Sequence, residues 1–321
     1  MINNRVSIII VNYNGKPHLE KCLESLSKIK YQNLEIIIID NHSTDGSLEF
    51  IQTKYPHIKT IKLDANYGFA EPNNIGAKDA MGEYLLFLNN DTIVTPNFVE
   101  ELVNVMNQDP QIAISQSMLL KPDGDVDSSG DFIDTLGRAY SSKNKSTSVQ
   151  YILSARGASM MVKKDIFFKL GGFDQNFFAS FEDVDIGWRA WLCGYKVVLV
   201  PNSIVYHIGR QTISKLDSMI MFHAAKNFLV LHLTNFEFSC AFKSIIVLFF
   251  VSMMRKIFGI SVIKDPEQVQ PLPSFKIILR GVFWIIKNSN YVLAKRKQVN
   301  LNKIVTNNDL IKKGLITKYS F

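Results

Sequence analysis

Between residues 6 and 120 the chain alternates short unbroken apolar runs with stretches whose apolar residues recur every three or four positions. Residues 6–11 are largely β-branched and end in the polar turn Asn12-Tyr13-Asn14-Gly15, after which Leu19, Cys22, Leu23 and Leu26 share one helical face. Residues 35–39 predict a second strand, closed by Asp40-Asn41-His42-Ser43-Thr44-Asp45-Gly46-Ser47, and Leu48, Ile51 and Tyr55 mark the next helix. A third strand is predicted over 58–63, a helix of small residues over 68–80, and a fourth strand over 84–88 that ends at Asn89-Asn90-Asp91. Pro96 opens a helix running to about residue 106, and residues 112–115 are strand-like. Strands buried on both faces read as continuous apolar runs. Their alternation with helices predicts an α/β fold with a central, mostly parallel sheet.

Residues 121–148 are polar and rich in Gly, Asp and Ser, which predicts a hairpin or mobile loop near the site. Residues 155–162 return to a strand and 165–170 to a short helix. Gly171-Gly172-Phe173-Asp174 follows, and then Glu182-Asp183-Val184-Asp185 at the head of another helix. Two short strands (197–200 and 204–207) and a helix (219–233) complete this part. After Phe236 the composition becomes apolar plus basic, so the chain is expected to divide into residues 1–236 and a helical extension, 237–321.

Charge sharpens that division. The net formal charge is +7, yet from Ala241 onward fourteen Lys and Arg face three Asp and Glu. Residues 244–254 form an apolar run bounded by Lys243 and Arg255-Lys256, shorter than the roughly 20 residues a spanning helix needs. Residues 275–286 interleave Lys276 and Arg280 with Ile277, Ile278, Val282, Phe283, Trp284 and Ile285, followed by Lys287. Apolar faces with basic partners suit helices lying in an anionic membrane surface. Packing on the rest of the chain or a homodimer contact is the alternative. No nucleic-acid-binding motif accompanies the charge. Cys22, Cys193 and Cys240 lack metal-site or disulfide spacing, and the chain enters its first strand without a signal peptide. Both features lead us to expect a cytoplasmic protein, peripheral at the inner face of the cell membrane.

In an open parallel sheet, ligands bind beyond the carboxyl ends of the strands. Asp40, Asp45 and Asp91 lie there. Asp40 can accept from a pyrimidine N3–H or a ribose hydroxyl, or simply close a turn. Asp91 suits Mg2+ or Mn2+ bridging a diphosphate, and His207 could add a nitrogen ligand or be structural. Arg156, Arg189, Arg210 and Lys226 are candidate diphosphate cations. The Glu182-Asp183-Asp185 cluster is costly to assemble unless cations, a metal or the helix N-terminus offset its repulsion. Gly-x-Gly-x-x-Gly, Gly-Lys-Ser/Thr and Gly-x-Ser-x-Gly signatures are absent, which excludes the commonest phosphate loops and the hydrolase elbow.

The ordered set Ser7–Gly15, Ile39–Ser47, Asn66–Ala70 with Asn73-Asn74-x-Gly76, Leu88–Thr92, Gly171–Asp174, Glu182–Asp185 and His207 resembles the family 2 glycosyltransferases of the GT-A fold. The nearest branch is that of the bacterial rhamnosyltransferases. The likeness covers about residues 5–235. It implies that Val11, Asn12 and Tyr13 line the nucleobase, which Asp40 bonds. It places Asn66, Gly68 and Phe69 beside the nucleotide, with Asn73 and Asn74 nearby, and it brings Asn90, Arg156 and Glu182 into the nucleotide-sugar site. Asp91 matches the last position of the metal-binding Asp-x-Asp motif, His207 a position that joins the metal, and Asp183 the catalytic base. Asn89 replaces the first metal carboxylate, and the Gln-x-x-Arg-Trp motif of processive enzymes is missing.

The resemblance implies an inverting, Mn2+- or Mg2+-dependent transfer of one sugar from a dTDP- or UDP-sugar to a lipid-linked glycan of the cell surface. A sugar-phosphate nucleotidyltransferase would want a basic Gly-rich loop after the first strand, where Asn12-Tyr13-Asn14-Gly15 is not basic. A non-catalytic nucleotide-sugar-binding protein would not need Asp183.

Overall fold

The computed structural model describes residues 4–136, 138–209, 218–258 and 274–318. The chain begins β1 (Val6–Asn12), α1 (Lys16–Leu26), β2 (Leu34–Asp40), α2 (Ser47–Lys54), β3 (Lys59–Lys62), α3 (Ala70–Asp79), β4 (Tyr84–Leu88), β5 (Thr92–Val94), α4 (Phe98–Gln108) and β6 (Ile112–Leu120). Strands β1, β2, β3 and β4 are parallel. Alternate residues of each strand enter opposite cores: Ile9, Ile37, Ile39, Leu85 and Phe87 one, Ile8, Ile10, Ile38, Leu86 and Leu88 the other. Helices cover both faces, which is why these strands carry no polar alternation.

The second half departs from simple alternation. Strands β7 (Val126–Ser128), β8 (Asp131–Asp134), β9 (Ala139–Ser141), β10 (Gln150–Tyr151) and β11 (Ser159–Lys163) precede α5 (Lys164–Lys169), α6 (Glu182–Leu192) and β12 (Lys196–His207). The sheet order is β10-β12-β6-β11-β4-β1-β2-β3, and β11 runs antiparallel between β4 and β6. The polar stretch 121–148 is thus a structured excursion, with β8 and β9 pairing as an antiparallel hairpin. Strand β11 starts at Ser159 rather than 155. The Arg156 and Gly157 amides leave the ladder to donate to the side chains of Gln116 and Asp183. Residues 196–207 form one strand where the sequence pattern predicts two, with a register shift at Val200–Ile204 around Pro201. A bulge accommodates the missing proline N–H without ending the strand.

The C-terminal part comprises α7 (Ser218–Asn235), α8 (Phe238–Phe258), α9 (Phe275–Lys287), α10 (Ser289–Asn302), α11 (Asn307–Lys312) and β13 (Ile316–Thr317). Ile278, Val292, Val299, Leu310, Leu315 and Ile316 share one buried cluster with Phe173 and Trp188, so the core continues past residue 236. Trp188 Nε1 donates to Asn307 Oδ1 at 2.8 Å, and β13 adds in parallel to β8. Among the described residues, no helix is long and apolar enough to cross a membrane.

Candidate active site

Chain direction in the parallel strands brings Asn12, Asp40 and the Asn89–Asp91 turn to one edge. Asn12 is wholly buried: its amide donates to Ser47 Oγ (2.9 Å) and its oxygen accepts from Asn90 Nδ2 (2.7 Å). Val11 is partly buried beside it, and Tyr13 is exposed at the rim. Asp40 is wholly buried. Its Oδ2 accepts from the Ser43 amide at 3.3 Å, and its Oδ1 has no partner. A buried acceptor without a donor is uncommon and costly. A base N–H or a ribose hydroxyl would satisfy it.

The Asn66–Phe69 turn is fastened to this edge by Asn41, a residue that sequence reasoning does not single out. Asn41 Nδ2 donates to Asn66 Oδ1 (2.9 Å) and Gly68 O (2.8 Å), and its Oδ1 accepts from the Tyr67 amide. Gly68 has φ +80°, and a Cβ there would lie 2.0 Å from Phe178 O, so only glycine fits. The Phe69 amide donates to the same carbonyl at 2.6 Å. The side chains of Asn73 and Asn74 are already engaged, with Phe69 O and with the backbone of Phe173. Both hold structure around the turn.

Asp91, at the end of β4, meets His207, at the end of β12. Nε2 lies 3.4 Å from Asp91 Oδ1, and Nδ1 lies 2.8 Å from Asp127 Oδ2. Burial disfavours the imidazolium, but the Asp127 and Asp91 carboxylates outweigh it and raise the His207 pKa to about 9. Burial would also raise Asp127, yet His207 and Arg156 bring it down to about 2. Asp127 belongs to the polar stretch that the sequence marks only as a hairpin or loop. A carboxylate on one ring nitrogen is the usual orienting partner of a metal-bound histidine, so Nε2, on giving up the proton it carries beside Asp91, would form with Asp91 a two-donor set for Mn2+ or Mg2+. Among the described residues no group of three or more His, Cys, Asp or Glu is arranged to hold a metal. The remaining positions would fall to diphosphate oxygens and water.

Arg156 joins this cluster to the acidic helix. It reaches Asp131 at 3.1 Å and Asp127 at 3.6 Å, and so spans two carboxylates. Its neighbour Gly157 donates its backbone N–H to Asp183 Oδ2 at 3.2 Å, and the Asn89 backbone N–H donates to Ala158 O. Residues 156–158 therefore touch both the Asp91 turn and the Asp183 helix. Burial pushes the Asp183 pKa up to about 6, with Asp131 adding to it; the Gly157 amide and Arg156 hold it down. Glu182 is buried with Oε2 unpartnered, and burial together with the Asp183 and Asp185 charges raises its pKa well above the carboxylate range. Burial and the neighbouring charges thus favour the neutral form of Glu182 beside an ionisable Asp183.

Two expected cations lie elsewhere. Arg189 is buried against Asp185 (2.7 Å) and the carbonyls of Leu170 and Gly172. Lys226 is buried with its ammonium on Asn176 O. Each compensates buried groups of the interior, which is why neither stands at the strand ends. Arg210 lies outside the described residues.

A family model described as Glycosyl transferase family 2 matches residues 7–171. The N-acetylglucosaminyl-diphospho-decaprenol L-rhamnosyltransferase of Mycobacterium tuberculosis is 27% identical over 229 residues, covering 62% of this chain and 75% of that protein. Among solved structures, S. aureus TarS 1-349 in complex with UDP-GlcNAc has a TM-score of 0.58 at 16% identity, covering 97% of this chain and 92% of its own. GalNAc-T7 with UDP, GalNAc and Mn2+ has a TM-score of 0.62 at 20% identity over 89% of this chain, and this chain spans 57% of that one. At these identities the two structures establish the GT-A architecture.

Proposed function

The chain belongs to glycosyl transferase family 2. From that premise we propose that it moves one sugar from a nucleoside-diphosphate sugar to a hydroxyl of a lipid-linked glycan, inverting the anomeric carbon. The observation that carries this reading is the Asp183 carboxylate. It stands at a helix N-terminus with its pKa raised to about 6, joined through residues 156–158 to the strand-end groups. A base must be ionised at working pH yet basic enough to accept a proton, and such a pKa meets both demands. Asp40, Asn12 and the Gly68 turn would receive the nucleoside. Asp91 and His207 would hold a divalent cation, and such an ion, when bound, neutralises charge on a leaving diphosphate. GalNAc-T7 was solved with Mn2+, which supports that choice. Asp183 would take the acceptor proton, and burial of Glu182 disfavours a second charge beside it.

The mycobacterial relative, named for a diphospho-decaprenol substrate, supports a lipid-linked acceptor, and TarS with UDP-GlcNAc supports a UDP- or dTDP-sugar donor. The purified chain, given a panel of UDP- and dTDP-sugars and a polyprenyl-diphosphate-linked sugar, should yield a product extended by one sugar of inverted configuration. Binding of the donors without product would favour a carrier. Formation of a nucleoside triphosphate from pyrophosphate, with no glycoside, would favour a nucleotidyltransferase.

A lipid-linked acceptor calls for a chain held at the membrane, and α8 and α9 suit that position. Phe238, Phe242, Ile246, Phe250 and Met253 make an exposed stripe at three- and four-residue spacing on α8, and Leu279, Phe283 and Ile286 make another on α9. With Lys243, Lys276, Arg280 and Lys287 in the same segments, the surface suits peripheral attachment to anionic lipid at the cytoplasmic face. The full chain should float with anionic vesicles at low salt, and a Phe238→Ser, Phe242→Ser, Phe250→Ser variant should lose flotation. Equal flotation of both, or of neither, removes the membrane surface and leaves a contact between copies of the chain.

A further inference from the structure

Helix α10, from the part of the chain that the sequence sets aside as an extension, reaches into the segment that presents Asp183. Lys295 Nζ lies 2.5 Å from Asp174 Oδ2 and 3.0 Å from Asp185 Oδ2, and its side chain is only 9% exposed. Tyr291 donates its hydroxyl to the same Asp174 carboxylate. Asp174 precedes the loop leading to α6, and Asp185 lies in the first turn of α6. One ammonium therefore bridges both ends of residues 174–185. Arg189 completes the clamp through Asp185 and the Gly172 carbonyl.

The segment between those ends is strained. Ser180 and Phe181 both adopt left-handed backbone conformations (φ 74° and 69°). Side-chain-bearing residues hold this conformation only where surrounding structure imposes it. Helix α7 supplies part of that structure. Asn227, wholly buried, donates its amide to Ala179 O (3.0 Å) and Ser180 O (2.7 Å), and the Lys226 ammonium donates to Asn176 O. The next residues in the chain are Glu182 and Asp183. The polar contacts of Lys295 and of the Asn227 amide described above all fall on residues 174–185. Their action on the chemistry would be through the placement of Asp183.

We propose that Lys295 and Asn227 are positioning residues for Asp183: helices α10 and α7 hold the strained 174–185 segment so that the carboxylate keeps its station beside Gly157. On this reading residues 237–321 help to build the active site, whatever surface they also offer to a membrane. The inference rests on Asp183 being the base.

The test compares Lys295→Met, Lys295→Arg, Asn227→Ala and the charge-balanced double variant Asp174→Asn with Lys295→Met, all in the full chain, with Asp183→Asn measured in parallel. A misplacement of about 1 Å can cost roughly 10²-fold in rate. Lys295→Met, Asn227→Ala and the double variant should each lose about that factor in kcat. Donor KM and UDP binding should stay near the parent values, and Lys295→Arg should recover most of the rate. The double variant retains the Asp185–Arg189 pair and removes one charge of each sign from the cluster, so with Asn227→Ala it decides the matter should Lys295→Met fail to fold. A folded variant with reduced melting temperature and parental kcat would overturn the inference and leave a purely structural role. If Asp183→Asn itself turns over normally, the assignment of the base fails first, and the two failures are told apart.

Discussion

Asp183→Asn should lower glycosyl transfer by a factor of about 10² to 10⁴, the usual span for removing a general base. Asparagine keeps the shape of the side chain; the Gly157 and Val184 amides donate to different carboxylate oxygens, so one of the two bonds is kept and the other is given up against relief of the buried charge. It cannot accept the proton of the acceptor hydroxyl. Nucleotide binding should be nearly unchanged, because Asp40, Asn12 and the Gly68 turn lie on other elements. The folded chain should be no less stable at neutral pH. The Asp183 pKa is raised by burial and by Asp131, so ionisation opposes folding there: stability from the protonated form is full below the unfolded value and lost as pH rises through about 6. The same raised value predicts an acidic limb in kcat, with activity falling as pH drops through about 6. Asp131→Asn removes a like charge and frees Arg156, both of which lower the Asp183 pKa, so the limb should move to lower pH. Single-turnover rates against pH, with nucleotide affinity measured alongside, check these outcomes. Near-normal turnover by Asp183→Asn would remove this residue from the chemistry.

Chelation of divalent cations should abolish transfer, with Mn2+ or Mg2+ restoring it, and Asp91→Ala should abolish both the activity and its restoration. A bound cation contributes several kcal/mol to stabilising transition-state charge, so the expected loss is on the order of 10² to 10³-fold. Asp91 and His207 are the two donors facing one another, and Asp127 fixes the ring from behind. Direct Mn2+ binding by electron paramagnetic resonance gives a readout free of turnover, and Asp91→Ala should lose it in the presence of UDP. Asn89 stands where a second carboxylate would, with its amide 3.5 Å from His207 Nε2. Asn89→Asp should therefore tighten Mn2+ binding. Full activity in excess chelator would end the metal assignment and leave the charge of the leaving group to cationic side chains.

The strand-end residues are legible in the sequence because apolar periodicity reports local geometry. Four isoleucines ahead of Asp40, and Tyr84–Leu88 ahead of Asp91, mark buried strands, and parallel strands in one sheet must all end on the same edge. The ordered motifs make that edge resemble a nucleotide-sugar site. The acidic cluster at the head of α6 is equally visible, but its members cannot be ranked by spacing. Glu182, Asp183 and Asp185 differ through their surroundings: one is buried with its Oε2 unpartnered, one faces Gly157, one is paired with Arg189 and Lys295.

Those surroundings come from far along the chain. His207 and Asp127 are 80 residues apart, and Lys295 and Asp185 are 110 apart. A polar stretch such as 121–148 has no hydrophobic period to read. Whether its Asp127 and Asp131 are solvated or built into the site depends on where β7 rejoins the central sheet and where β8 pairs with β9 and β13. Arg189 and Lys226 carry the same charge as a phosphate-binding residue would, and only their burial against Asp185 and Asn176 O assigns them to the interior. The apolar and basic composition after 236 likewise fits a surface helix or a packed one. Chain closure decides that α10 and β13 pack into the first part of the chain, because burying Val292, Val299 and Ile316 there removes apolar surface from water that the segment alone could not cover.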